Sequence, residues 1–257
     1  MTLTMKRFAA VFAVACTVTL AVPAQQQNSS QREMSVEESY LQQSVELMVI
    51  REQSHADSRE MKLLALQYIG EAIDRGNTSR EIRDALEYMG LEGVLNQARE
   101  NNRLVNDFPD IRREAARYLG EMGTPEAKDS LLRMLVVDRE PMVLQEAVKS
   151  LGRIGLNDND ETVATIAFIV RKFDVTFPDN LLALSAIDAF ETLAERNNGI
   201  RSPDAINVLM RIAEGRYIRP VQDRARQALS DLRKYQQQNQ QQQQNQQRQN
   251  QQTGSGS

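Results

Sequence analysis

The sequence predicts an all-α fold in which about five helix pairs stack into a right-handed superhelix. Three observations predict this fold class. A short pattern of small and aliphatic residues recurs along the chain, and each copy is followed by signals for a second helix. No Val/Ile/Thr-rich alternating run bounded by turn residues predicts a strand. The 257 residues are 41% hydrophobic, which is enough for one or two domains with a sizeable core.

The recurring pattern is clearest in two segments. Residues 111–120 read IRREAARYLG and residues 143–152 read VLQEAVKSLG, so an apolar residue, an Ala and a Leu stand four residues apart before a Gly. A step of four keeps these side chains near one helix face, and the small Ala lets a neighbouring helix approach closely. The Ala of the five copies is Ala65, Ala115, Ala147, Ala189 and Ala225. The fourth copy departs from the pattern because Ser185 holds its first apolar position.

Start signals for a second helix follow these first helices. Thr78 stands three residues before Glu81, which is the spacing of a capping box. Thr124 and Ser202 each precede a Pro and an acidic residue, a combination that favours the first turn of a helix. Asp160 opens another second helix.

Helix–turn–helix units at these spacings resemble HEAT repeats, particularly the short bacterial type named after phycobilisome-lyase-like repeats. The best match is the segment 109–120, PDIRREAARYLG, and the resemblance covers roughly residues 58–235. It implies that the second helix of each pair lines a concave face that binds partners. It also brings one enzymatic alternative, a lyase-like enzyme or enzyme subunit.

The N-terminal segment predicts export. Lys6 and Arg7 precede an apolar run over 8–22, and small residues precede a cleavage point after Ala24, which is the pattern of a signal peptide over 1–24. The run is shorter than the roughly 20 apolar residues that cross a bilayer, so we expect no membrane span in the mature chain. Cys16 offers an alternative, because it weakly resembles a lipobox and would make the protein a lipid-anchored envelope protein.

Two further segments flank the repeat array over 58–235. Residues 35–57 begin with a capping box at Ser35, and an apolar stripe follows at Val36, Tyr40, Leu41, Val45 and Met48, which predicts an N-terminal capping helix that covers the open face of the first repeat. Residues 236–257 are rich in Gln and Asn and predict a disordered tail, because they offer no apolar surface to offset the entropy of ordering. Within the array, residues 98–108 form a long polar connection that is either functional or a plain bridge.

Composition argues against several classes of function. The chain has one His and one Cys, so we expect no zinc site and no His-based catalytic centre. His55 lies in an interhelix joint, where a surface or capping role is expected. Residues 157–160, NDND, lack the Gly and closing Glu of a calcium-binding loop. Cleavage after Ala24 changes the formal charge from −4 to −6, which disfavours nucleic acid. We therefore predict no cofactor, no metal and no enzymatic activity.

The remaining features predict a non-enzymatic scaffold or adaptor that binds protein partners in the periplasm or cell envelope. Helical-wheel positions place Phe168 on the solvent side of its helix, beside Lys172, whereas the alternative is that Phe168 packs under a neighbouring helix. Polar side chains on the flanking second helices are expected to complete a groove around it. These residues are Asp129, Arg133, Asn207 and Arg211.

Overall fold

The structure, a computed structural model, describes residues 35–176, 178–200 and 202–235. The predicted signal peptide, Cys16 and the predicted tail lie outside the described residues. The helices are α1 (Val36–Ser54), α2 (Arg59–Asp74), α3 (Arg80–Leu91), α4 (Pro109–Met122), α5 (Pro125–Val137), α6 (Pro141–Ile154), α7 (Glu161–Thr176), α8 (Asn180–Arg196), α9 (Pro203–Glu214) and α10 (219–235). Two short strands, β1 (Arg99–Glu100) and β2 (Arg103–Leu104), lie between α3 and α4.

The helices form two packed layers, which confirms the all-α, HEAT-like fold class. In the first layer α2 packs on α4, α4 on α6 and α6 on α8, while in the second layer α3 packs on α5, α5 on α7 and α7 on α9. Helix α10 joins the first layer next to α8, where Arg224 binds Glu191 at 2.5 Å. The described residues thus form four complete helix pairs, and the fifth copy of the pattern contributes a single helix.

Small residues of the pattern lie where successive first helices meet. The five repeated Ala residues are at most 3% exposed. The Gly that follows the aliphatic residue is equally important, because a Cβ on Gly120 would stand 2.5 Å from Cβ of Ser150. A Cβ on Gly70 would meet the Tyr118 hydroxyl at 2.5 Å, and one on Gly152 would meet Cα of Ala189 at 3.0 Å. Each Gly therefore accommodates the next helix of the first layer.

The helix starts agree with the sequence signals at all but one position. Thr124 accepts a hydrogen bond from Ala127 N and Ser202 accepts one from Asp204 N, so both are N-caps as expected. The expectation for Thr78 is wrong, because α3 begins one residue later and its N-cap is Ser79. The side chain of Asn77 accepts a hydrogen bond from Ser79 N and forms a local turn that moves the helix start along the chain.

Helix α1 occupies the place of a second helix that precedes the first pair. It packs on α2 and α3, just as α3 packs on α4 and α5. Its N-terminus has the predicted capping box, in which Ser35 Oγ accepts from Glu38 N and a Glu38 carboxylate oxygen accepts from Ser35 N. Within the described residues, the array therefore begins with α1, a helix of the second layer, and ends with α10, a helix of the first layer.

The polar connection after α3 contains a hairpin that the sequence analysis did not predict. Strands β1 and β2 are antiparallel, with Arg99 opposite Leu104. The turn residues Asn101 and Asn102 have φ values of 47° and 67°, and two consecutive positive φ values give the tight turn that suits a two-residue hairpin. Strands of two residues are too short to produce an alternating pattern.

Candidate interaction surface

All six residues that the sequence nominated are exposed on the second layer. Asp129 and Arg133 lie on α5, Phe168 and Lys172 on α7, and Asn207 and Arg211 on α9. Half of the surface of Phe168 is exposed, which favours the solvent-side alternative over burial beneath a neighbouring helix.

Helix α7 presents Phe168 outward because its opposite side is taken up by the core. Val163, Ile166, Ala167 and Val170 are at most 3% exposed, and they recur at helical spacing. These four positions leave Phe168 no room on the buried side. The orientation of the aromatic ring thus follows from the sequence of a single helix.

Ion pairs join neighbouring second helices around this surface. Arg133 Nη2 lies 2.7 Å from Glu87 Oε2 on α3, and the Arg211 guanidinium binds Asp174 on α7. The guanidinium groups of Arg133 and Arg211 therefore brace their own layer, whereas Lys172 takes part in no ion pair among the described residues. Their charge is largely matched within the protein, so a partner meets a nearly neutral surface at these positions.

Another ion pair connects α7 to the start of α9. Arg171 Nη1 lies 2.6 Å from Asp204 Oδ1. The hydrogen bond from Arg171 lowers the pKa of the Asp204 carboxyl below its usual range, and the positive charge of Arg171 acts in the same direction. The carboxylate is consequently charged at neutral pH and ties the start of α9 to α7 at Arg171, three residues after Phe168.

Exposed apolar side chains accompany Phe168. Val136 is 50% exposed, Val175 69% and Met210 38%. Phe168 and Met210 are each the eighth residue of helices that pack side by side, so they occupy matching places on α7 and α9. We call Val136, Phe168, Val175 and Met210 the Phe168 surface. The helical-wheel positions did not single out the other three members, although Val136 and Val175 each lie seven residues after a nominated residue on the same helix face.

A lysine side chain forms ion pairs with the acidic residues of the loop before α7. Lys128 of α5 is nearly buried, and its Nζ lies 3.1 Å from Asp158, 3.5 Å from Asp129 and 3.6 Å from Glu161. Among the described residues, no cluster of three or more His, Cys, Asp or Glu side chains could hold a metal ion. The loop over 157–160 therefore joins α5 to α7 through charge pairing, and one member of the nominated set, Asp129, takes part in it.

Four charged residues are buried in the first two helix pairs, as one ion pair in each, and we call them the joint network. Lys62 Nζ lies 2.7 Å from Glu92 Oε2, and both side chains are at most 5% exposed. Arg112 Nε donates to Asp138 Oδ2 at 2.7 Å, and both of these side chains are 2% exposed. Asp107, at the end of the polar connection, accepts a second bond from Arg112 at 2.6 Å. The network is internally paired and has a structural role.

The single His of the chain caps a helix, as expected. His55 is the C-cap of α1, and its Nδ1 lies 2.9 Å from the carbonyl oxygen of Arg51. Its ring stacks on Tyr88, with the ring centroids 3.9 Å apart. Ser54 Oγ lies 3.1 Å from the same Nδ1, but Ser54 is fully buried and its hydroxyl donates to the Arg51 carbonyl. No substrate can reach that hydroxyl in this arrangement.

Comparison with known families agrees with the layered fold. Residues 101–168 match the family model of HEAT repeats, a segment that runs from the hairpin through α4, α5 and α6 into α7. This match supports a HEAT-repeat family for the chain, and HEAT repeats commonly mediate protein interactions. A search among curated proteins found no match. In the part of the chain that the structure describes, no helix is long and apolar enough to span a bilayer.

Proposed function

We propose that the protein is a non-enzymatic scaffold of the cell envelope that binds a partner protein through the Phe168 surface. The observation that carries the proposal is the half-exposed Phe168 on a layer whose helices are joined by ion pairs. An aromatic side chain on a preformed surface is the kind of anchor that dominates binding energy in protein interfaces. Little ordering entropy is lost when such a surface binds.

The chemistry of the surface favours a partner with an apolar face. Met210 lies one turn after exposed Asn207 and next to Arg211, whose charge is balanced by Asp174. A partner gains most from covering Phe168 and Met210, and exposed Lys172 adds one positive charge beside them. Interface cores are depleted in charge and enriched in aromatic residues and Met, which fits this composition.

The envelope location rests on the signal-peptide pattern over 1–24, and the phycobilisome-lyase-like subtype on the segment 109–120. Mass spectrometry of the N-terminus of the mature protein tests the location. A chain that starts at Gln25 supports export with cleavage after Ala24, an acylated Cys16 supports the lipid-anchored alternative, and a chain that retains 1–24 contradicts both.

Partner capture tests the binding role. Envelope proteins crosslinked to the wild-type chain in intact cells are compared with those crosslinked to Phe168→Ala, and affinity for each captured protein is then measured. We expect the Kd of a specific partner to rise at least about tenfold. Leu181→Ala is the matched control, because Leu181 is 60% exposed but lies on α8 in the first layer. Equal affinity for both variants, with unchanged circular dichroism, would overturn the proposal.

A further inference from the structure

The apolar stripe that the sequence places against the first repeat faces outward instead, among exposed polar residues of α1 such as Gln42 and Ser44. Tyr40 is 70% exposed, Leu41 63%, Val45 58% and Met48 66%, and together these four residues form what we call the α1 face. The opposite side of the helix packs on α2 and α3 through residues such as Ile50, which is 1% exposed. A helix that ends an array is expected to show a polar outer side, so this face indicates a binding surface.

The area of the α1 face matches what a pair of identical surfaces needs. At the observed exposures its four side chains present about 500 Å² per copy, close to the largest apolar patch of a typical monomer. Two such faces in contact bury about 1,000 Å² in total, which reaches the lower limit for a stable interface. A twofold arrangement uses the same face on both copies and closes on itself.

Charge complementarity fixes the direction of the pairing. Helix α1 carries acidic residues in its first turn and Arg51 in its last turn. In an antiparallel pair with Ser44 at the twofold axis, Glu37 of each copy faces Arg51 of the other, and Tyr40 faces Met48. Among the described residues, Glu37 and Arg51 take part in no ion pair, so both are available for this contact.

We propose that the protein forms a twofold dimer in which α1 packs antiparallel against α1 of a second copy. Among the described residues, the other end of the array offers no comparable surface, because the outward residues of α10 include exposed Arg226, Ser230 and Arg233. An anionic membrane is a poor occupant of the α1 face, because Glu37 and Glu52 are exposed along it. A second copy is the occupant that satisfies both the apolar residues and the charges.

Analytical ultracentrifugation of the full chain measures the association. We expect a monomer–dimer equilibrium in the wild type and a dissociation constant at least about 100-fold higher in the Leu41→Glu/Met48→Glu double variant. Leu181→Glu/Ile218→Glu is the matched control, since these residues are 60% and 55% exposed elsewhere on the surface. This control should dimerise like the wild type, and circular dichroism should show that both variants fold.

A charge exchange tests the antiparallel geometry. Glu37→Arg should raise the dissociation constant about fivefold, and the addition of Arg51→Glu should restore it. In a Cys16→Ser background, Ser44→Cys should form a disulfide between the two copies. Any of four results would overturn the proposal: a monomer at all concentrations, an association insensitive to the α1 variants, open-ended polymers, or dimers only after removal of residues 1–34. Flotation of the wild type with vesicles of anionic lipid, lost in the α1 variant, would assign the face to membranes and also overturn it.

Discussion

The close approach of α4 and α6 makes a quantitative prediction for Gly120→Ala. The new methyl group would lie 2.5 Å from Cβ and Oγ of Ser150 and 2.9 Å from its Cα, whereas packed carbon atoms lie about 3.5–4.0 Å apart. Because a backbone atom is among the neighbours, the helices must separate, and overpacking costs up to about 3 kcal/mol. Ala gains about 1 kcal/mol over Gly inside a helix. We expect a net loss of about 2 kcal/mol in the free energy of unfolding.

Urea unfolding followed by circular dichroism measures this loss. Gly152→Ala is the matched comparison, because there the methyl group would lie 3.0 Å from Cα of Ala189, and we expect a change within about 0.5 kcal/mol as crowding and helix propensity nearly cancel. The combination of Gly120→Ala with Ser150→Gly should lose less stability than the sum of the two single changes. A Gly120→Ala protein that is more stable than the wild type would refute the close-approach explanation.

Two further predictions concern charged residues. Arg112→Met leaves the 2% exposed Asp138 carboxylate without its guanidinium partner, and urea unfolding should show a loss of about 3–5 kcal/mol. Arg113→Met, at a half-buried neighbouring position whose side chain is 42% exposed, is the control and should change little, so equal losses would contradict the role of the buried pair. Because Arg171 lowers the pKa of the Asp204 carboxyl below its ordinary 3.8, the stabilisation by Asp204 is complete above that value and is lost as pH falls through the lower folded pKa. Asp204→Asn should therefore lose less stability than the wild type between about pH 5 and about pH 2 in acid unfolding experiments, and identical pH profiles would contradict this assignment.

The layered fold could be predicted because its determinants are local. Five copies of a pattern at a spacing of four residues specify which side of each first helix is buried, and the Ala at its centre is buried in every copy. The hairpin could not be predicted in this way, since its only signal is the tolerance of Asn101 and Asn102 for positive φ. The start of α3 depends on a side-chain turn at Asn77, which competes with the cap that Thr78 would provide.

The features of the candidate surface that depend on a single helix could be predicted from the sequence, whereas those that depend on how helices stack could not. The exposure of Phe168 follows from the buried positions of α7 alone. The ion pairs of Arg133 and Arg211 join residues that are 46 and 37 positions apart in the chain, so they depend on how the helices stack. Charged residues such as Lys62 are normally assigned to solvent, and only the assembled array reveals that this one is buried.

The joint network also determines which modules of the array are interchangeable. Lys62 and Glu92 both belong to the first helix pair, and Arg112 and Asp138 both belong to the second, so each of these two units carries its own buried counter-ions. Beyond Asp138, the polar side chains buried in the described residues are the uncharged Ser150, Thr162 and Ser185. A transplanted first or second unit therefore brings its buried counter-ions with it, and the ion pairs that a new neighbour must replace are those between successive second helices, such as Lys128 with Asp158 and Arg171 with Asp204.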